Sequence, residues 1–153
     1  MTNSDIGRSG IPAVTGIDHV AYNVPDIDQA IAFFIDVFGC ELLAREHPHE
    51  MAGRPGVGVA TAVLRYDERV NFELLEFHTP GQNTDMPRMT DTGGYHLALS
   101  CTDIPAAIAW LQTTLGIDLE EAEPLRNGRR RAFFTTPWGM NVQIIEPAGD
   151  SIF

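Results

Sequence analysis

Four side chains able to bind a metal ion occur in this chain as two matched pairs. His19 lies in "DHVAYNVPD" and His96 in "YHLALSCTD", while Glu73 lies in "NFELLEF" and Gln143 in "NVQIIEP". Two imidazoles, one carboxylate and one carboxamide make a donor set suited to Zn, Fe, Ni, Mn or Co. Taken singly, each is ordinary: a histidine in a strand-like run is commonly a structural side chain, and a strand Glu or Gln commonly faces solvent or bonds backbone. Their pairing argues for more than that.

The pairing follows from a duplication. "HVAYNVPDIDQAIAFFIDVFGCEL" lies without a gap over "HLALSCTDIPAAIAWLQTTLGIDL", so that His19 meets His96, Asp26-Ile27 meets Asp103-Ile104, and Gly39 meets Gly116. At a slightly different offset Asn71, Glu73 and Glu76 meet Asn141, Gln143 and Glu146. A chain of 153 residues built this way is two units, each marginal alone and together large enough for a real core.

Period-two runs, helical stripes and turn residues predict the same order of elements in each unit. In the first unit these are a strand over 16–24, a helix over 26–38, a strand over 40–46, a loop to about 57, and strands over 58–66 and 70–78 joined by "DER". In the second they are a strand over 95–101, a helix over 103–115, and strands near 117–124, 129–136 and 140–146, with Asn127-Gly128 read as a two-residue hairpin turn. The expected organisation is a tail (1–15), a βαβββ unit (16–79), a linker (80–94), a second βαβββ unit (95–147) and a short C-terminal tail (148–153) within one globular domain. Ile27, Ala30, Ile31, Phe34 and Phe38 in one helix, and Ile104, Ala107, Ile108, Leu111 and Leu115 in the other, form core-facing stripes. The fold class is therefore α+β: an open eight-stranded, barrel-like trough with one helix per unit outside.

Alternate strand residues would line that trough. Alternation puts Glu73 and Gln143 on one face with Asn71, Leu75, Asn141 and Ile145, and turns Glu76 and Glu146 the other way. A divalent cation on the pseudo-twofold axis would meet His19, Glu73, His96 and Gln143. Tyr95, Asn71, Asn141, Arg130 and Trp138 are the candidate substrate contacts. The loop "REHPHEMAGRPG" offers Glu46, His47, His49 and Glu50 as acid-base groups near the mouth.

Composition removes several functions. The formal net charge of −11 disfavours nucleic acid, which needs a basic face. All ten basic residues are arginine, so lysine Schiff-base chemistry and a P-loop lysine are excluded. There is no GxSxG nucleophile elbow, and "GVGVAT" leads into a strand rather than a helix. No stretch has the unbroken apolar length of a membrane span and residues 1–15 lack the form of a signal peptide, which predicts a cytoplasmic protein. Cys40 and Cys101 lack any motif partner and are expected as free thiols.

The segments "DHVAYNVPDIDQAIAFFIDVFG", "VNFELLEF", "GGYHLALSCTDIPAAIAWL" and "TTPWGMNVQIIEP", spanning residues 16–147, resemble the vicinal oxygen chelate superfamily, which includes glyoxalase I, methylmalonyl-CoA epimerase, extradiol dioxygenases, and fosfomycin and bleomycin resistance proteins. The resemblance implies that His19, Glu73, His96 and Gln143 hold one divalent metal, that the protein is a homodimer, and that "REHPHEMAGRPG" forms a lid or pocket wall. Glyoxalase I commonly has a second glutamate where Gln143 stands. The methylmalonyl-CoA epimerase pattern is nearer, with amide and carboxylate exchanged.

One carboxylate leaves the ion about one net positive charge, a stronger Lewis acid than a two-carboxylate set would give. The resulting expectation is an epimerase or isomerase in which Glu73, with Glu46 in reserve, removes a proton α to a metal-bound carbonyl. Its substrate would be a small hydroxy-ketone, sugar- or cyclitol-like as in epimerases of the 2-epi-5-epi-valiolone type, or a 2-substituted acyl thioester. The alternatives are an Fe(II) dioxygenase of the extradiol type using His19, His96 and Glu73, a glyoxalase-type lyase, and a metal-free drug-binding protein.

Overall fold

The computed structural model describes residues 11–119 and 121–147. The expected C-terminal tail and the first ten residues of the expected N-terminal tail lie outside these. The chain divides into two compact units, Met1–Gln82 and Asn83–Phe153, with the division inside the 80–94 segment.

The first unit contains β1 (Val20–Asn23), α1 (Ile27–Asp36), β2 (Glu41–Glu50), β3 (Gly58–Arg65) and β4 (Asn71–His78). Its sheet has the order β1-β4-β3-β2, parallel between β1 and β4 and antiparallel elsewhere. Asp26 caps α1 by accepting from the Gln29 amide at 2.9 Å, and the Glu76 carboxylate accepts from the Ile27 amide at 2.9 Å. Together they satisfy two of the donors a helix start leaves unpaired. Ile27, Ala30, Ile31 and Phe34 of α1 are buried. Tyr22, Phe34, Phe38 and Phe72 form an aromatic cluster in tilted and edge-to-face contacts. Each such ring contributes about 1.5–3 kcal/mol through burial. The other face of the sheet carries His19, Ala21, Glu73, Asn71, Val63 and Thr61, none of them fully buried.

The second unit repeats the plan with β5 (Leu97–Ser100), α2 (Ile104–Leu115), β6 (Glu121–Ala122), β7 (Arg131–Thr135) and β8 (Asn141–Ile145), in the order β5-β8-β7-β6. Asp103 caps α2 through the Ala106 amide, and Gly116 closes it in the left-handed region, φ 64°. Ile104 and Leu111 are buried with Ala132, Phe134, Val142 and Ile144. The expected βαβββ order therefore holds in both units, each an open four-stranded sheet with one helix.

Four expectations are corrected. β2 runs on to Glu50, so Glu46, His47, His49 and Glu50 stand on a strand and not in a loop. Pro48 lies inside this strand: β2 is the edge of its sheet and the register shifts between Glu46 and His49, where a proline is tolerated. The segment 117–124 keeps only the two-residue β6, with Glu120 outside the described residues. The turn before β7 is a three-residue loop: the Leu125 amide donates to the Arg129 carbonyl at 3.0 Å and the Gly128 amide to the Leu125 carbonyl at 2.8 Å, with Gly128 at φ 82°. β7 consequently starts at Arg131, leaving Arg129 and Arg130 before it.

Candidate active site

Each unit places one histidine beside one oxygen-bearing side chain by the same register. In the first, β1 and β4 run parallel with Ala21 opposite Glu73; in the second, β5 and β8 run parallel with Ala98 opposite Gln143. His19 and His96 stand two residues before those alanines, which puts each on the same sheet face as its partner. The strands are shorter than their sequence suggests, and both histidines lie one residue ahead of them.

In the first unit the two side chains meet. His19 Nε2 is 3.3 Å from Glu73 Oε2, and His19 Nδ1 is 2.7 Å from Asp18 Oδ1. Asp18 raises the pKa of His19 above the ordinary 6.5, first through this hydrogen bond; partial burial opposes it and the Glu73 and Asp18 charges add to it. In neutral His19, a proton on Nδ1 donated to Asp18 leaves the Nε2 lone pair on the Glu73 side. Two donors about 2.1 Å from one zinc-sized ion, at angles between a right angle and the tetrahedral one, stand about 3.0–3.4 Å apart. The pair fits one ion.

In the second unit Gln143 is 6 % exposed. Phe133 lies opposite it on β7, and the His96 ring packs edge-to-face on Phe133 at 5.9 Å. Among the described residues no group of three or more His, Cys, Asp and Glu side chains is gathered to hold a metal ion. The contact drawn directly is the His19–Glu73 pair.

Glu46 shares the His19–Glu73 face, since it lies opposite Thr61, which lies opposite Leu75. Thr61 Oγ1 donates to Glu46 Oε2 at 3.3 Å, and His49 Nε2 is 3.7 Å from the same oxygen. Asn71 and Asn141 begin β4 and β8 on these faces. Tyr95 is half-buried directly before His96, and burial pushes its phenol pKa up. Trp138 sits in the turn between β7 and β8. Arg130 is tied by a bidentate pair to Glu121, 2.6 Å at each end, and alternation places Arg131, not Arg130, on the Gln143 face. The sequence reading missed Asp18, Phe133 and Arg131. Asp18 was visible as the neighbour of His19, whereas the other two needed the start of β7.

Two tandem βαβββ units, each bearing a histidine and an acid or amide on one sheet face, define the class, and comparison with known proteins agrees. Residues 18–136 match the Glyoxalase/Bleomycin resistance protein/Dioxygenase superfamily, and the chain belongs to it. A 2-epi-5-epi-valiolone epimerase of an Actinomyces species is 38 % identical over 92 % of this chain and 84 % of its own length. A lactoylglutathione lyase of Arabidopsis thaliana is 28 % identical over 84 % of this chain, which spans 43 % of that protein. Among solved structures, a glyoxalase family protein of Bacillus cereus superposes with a TM-score of 0.69 at 25 % identity, covering 92 % of this chain and all of that one.

Proposed function

We propose that this protein is a divalent-metal-dependent epimerase that exchanges the proton α to the carbonyl of a small polyhydroxylated ketone of the 2-epi-5-epi-valiolone type. The observation that carries the reading is the His19–Glu73 pair at 3.3 Å, with Asp18 fixing the far side of the imidazole. The relationship to an epimerase at 38 % identity supports the reaction class.

His19, Glu73, His96 and Gln143 are its metal ligands in this reading. A divalent ion held there supplies Lewis acidity that makes the carbon acid beside a ketone easier to ionise. Glu73 removes the α-proton, leaving the electron pair delocalised as an enolate. Gln143 cannot take that role, because an amide does not accept a proton at neutral pH. Inversion needs the proton returned from the opposite side, and we assign that to Glu46. Thr61 and His49 steady its carboxyl group, and its exposure lets it exchange protons with water between turnovers.

The test is turnover of 2-epi-5-epi-valiolone by metal-loaded protein in deuterated water. Epimer should form with one deuterium at one carbon. Glu73→Gln should abolish both epimerisation and exchange, and Glu46→Gln should leave exchange into recovered substrate while slowing epimer formation. Oxygen uptake, or no exchange at any metal loading, would refute the proposal.

A further inference from the structure

Three consecutive arginines precede or open β7, and they are treated differently. Arg129 donates from Nε and Nη2 to the Glu146 carbonyl at 2.9 and 2.6 Å. Arg130 forks onto the Glu121 carboxylate. Arg131 donates from Nε to the Glu123 carbonyl at 3.1 Å, and among the described residues its two terminal nitrogens meet no acceptor. The formal net charge is −11, so acidic partners are abundant, and a guanidinium left without one is kept from them by its placement.

That placement is the sheet face of Gln143. Phe133 lies opposite Gln143 and Arg131 lies opposite Ile145, two residues along the same face. The Arg131 guanidinium carbon stands 5.5 Å from the centre of the Phe133 ring, which also meets the His96 ring at 5.9 Å. One aromatic ring thus separates two candidate metal ligands from a cation held at Nε with its guanidinium over that ring. Such a guanidinium presents two near-parallel N–H donors already fixed in direction, which suits two neighbouring oxygens.

We propose that Arg131 is a specificity-determining residue that holds two vicinal hydroxyl oxygens of a polyhydroxylated ring, away from the carbon whose proton is exchanged. The assignment rests on the epimerase reading above. A phosphate would call for further cations, and the adjacent arginines are already engaged with the Glu146 carbonyl and with Glu121. A single free fork matches a neutral diol.

The test compares wild type, Arg131→Ala and Arg131→Lys, all metal-loaded and checked by circular dichroism, on 2-epi-5-epi-valiolone and on analogues each lacking one ring hydroxyl. Losing a charge-assisted pair of hydrogen bonds should raise KM about tenfold or more while kcat stays within about threefold. Wild type should favour the full substrate over the analogue lacking a contacted hydroxyl, and that preference should collapse in Arg131→Ala. Arg131→Lys keeps the charge but loses the fork, so it should follow Arg131→Ala. It decides the matter even where the alanine variant does not fold. An unchanged KM, or a preference that survives in a folded variant, overturns the assignment while leaving the epimerase reading intact. If wild type exchanges no deuterium into any of these compounds, the epimerase reading fails and the assignment falls with it.

Discussion

The Nε2 atom of His19 faces Glu73 Oε2 at 3.3 Å, while its Nδ1 is held by Asp18 at 2.7 Å. Both neighbours are acidic, so the imidazole gains protons more readily than a free histidine, and its folded-state pKa lies above 6.5.

The sign of the pH dependence follows. In metal-free protein, protonated His19 adds stability that is fully present below the unfolded value of 6.5 and is lost as pH rises through the raised folded value. In the proposed metal site protons and metal would compete for Nε2, so metal affinity should fall as pH drops through that same value. NMR titration of metal-free protein should place the His19 midpoint above 6.5, and Asp18→Asn should lower it. A wild-type midpoint at or below 6.5 would contradict the arrangement.

Glu76 points away from the candidate site, and its carboxylate accepts the first amide of α1. Glu76→Ala should cost about 1 kcal/mol in urea denaturation, as the loss of a helix cap does. Metal content should be unchanged. Loss of metal without loss of stability would place Glu76 in the site instead.

Gly94 closes the loop that delivers Tyr95 and His96 to β5. A Cβ there would collide with the carbonyls of Arg88, Met89 and Asp91. Backbone cannot yield as a side-chain tip can, so Gly94→Ala should destabilise the protein by about 1–3 kcal/mol. It should also weaken metal binding, measured by competition with a chromophoric chelator, because His96 shifts with the loop.

Cys40 is buried, and burial pushes its thiol up to about 11, which leaves almost no thiolate at pH 8. Cys101 is partly exposed, with Sγ donating to the Asp103 carbonyl. Native protein should react with a thiol reagent first at Cys101. Denaturation should expose the second equivalent, and equal native rates at both thiols would contradict this burial.

Much of this is legible in the sequence because it is periodic. Helix stripes recur at 3.6 residues and strand faces at two, so the order of elements, most of the core-facing helix stripes, though not Leu115, which is exposed at the end of α2, and the opposite orientations of Glu73 and Glu76 follow from residue spacing, as does the equivalence of His19 with His96 and of Glu73 with Gln143. What the sequence could not determine depends on neighbours far away in the chain. β2 continues through Pro48 because it is an edge strand, which no local preference reveals. Arg130 and Arg131 are adjacent and chemically identical, yet one is bound by Glu121 and the other packs on Phe133. That difference was decided by where β7 begins and by what β6 and β8 place on either side of it.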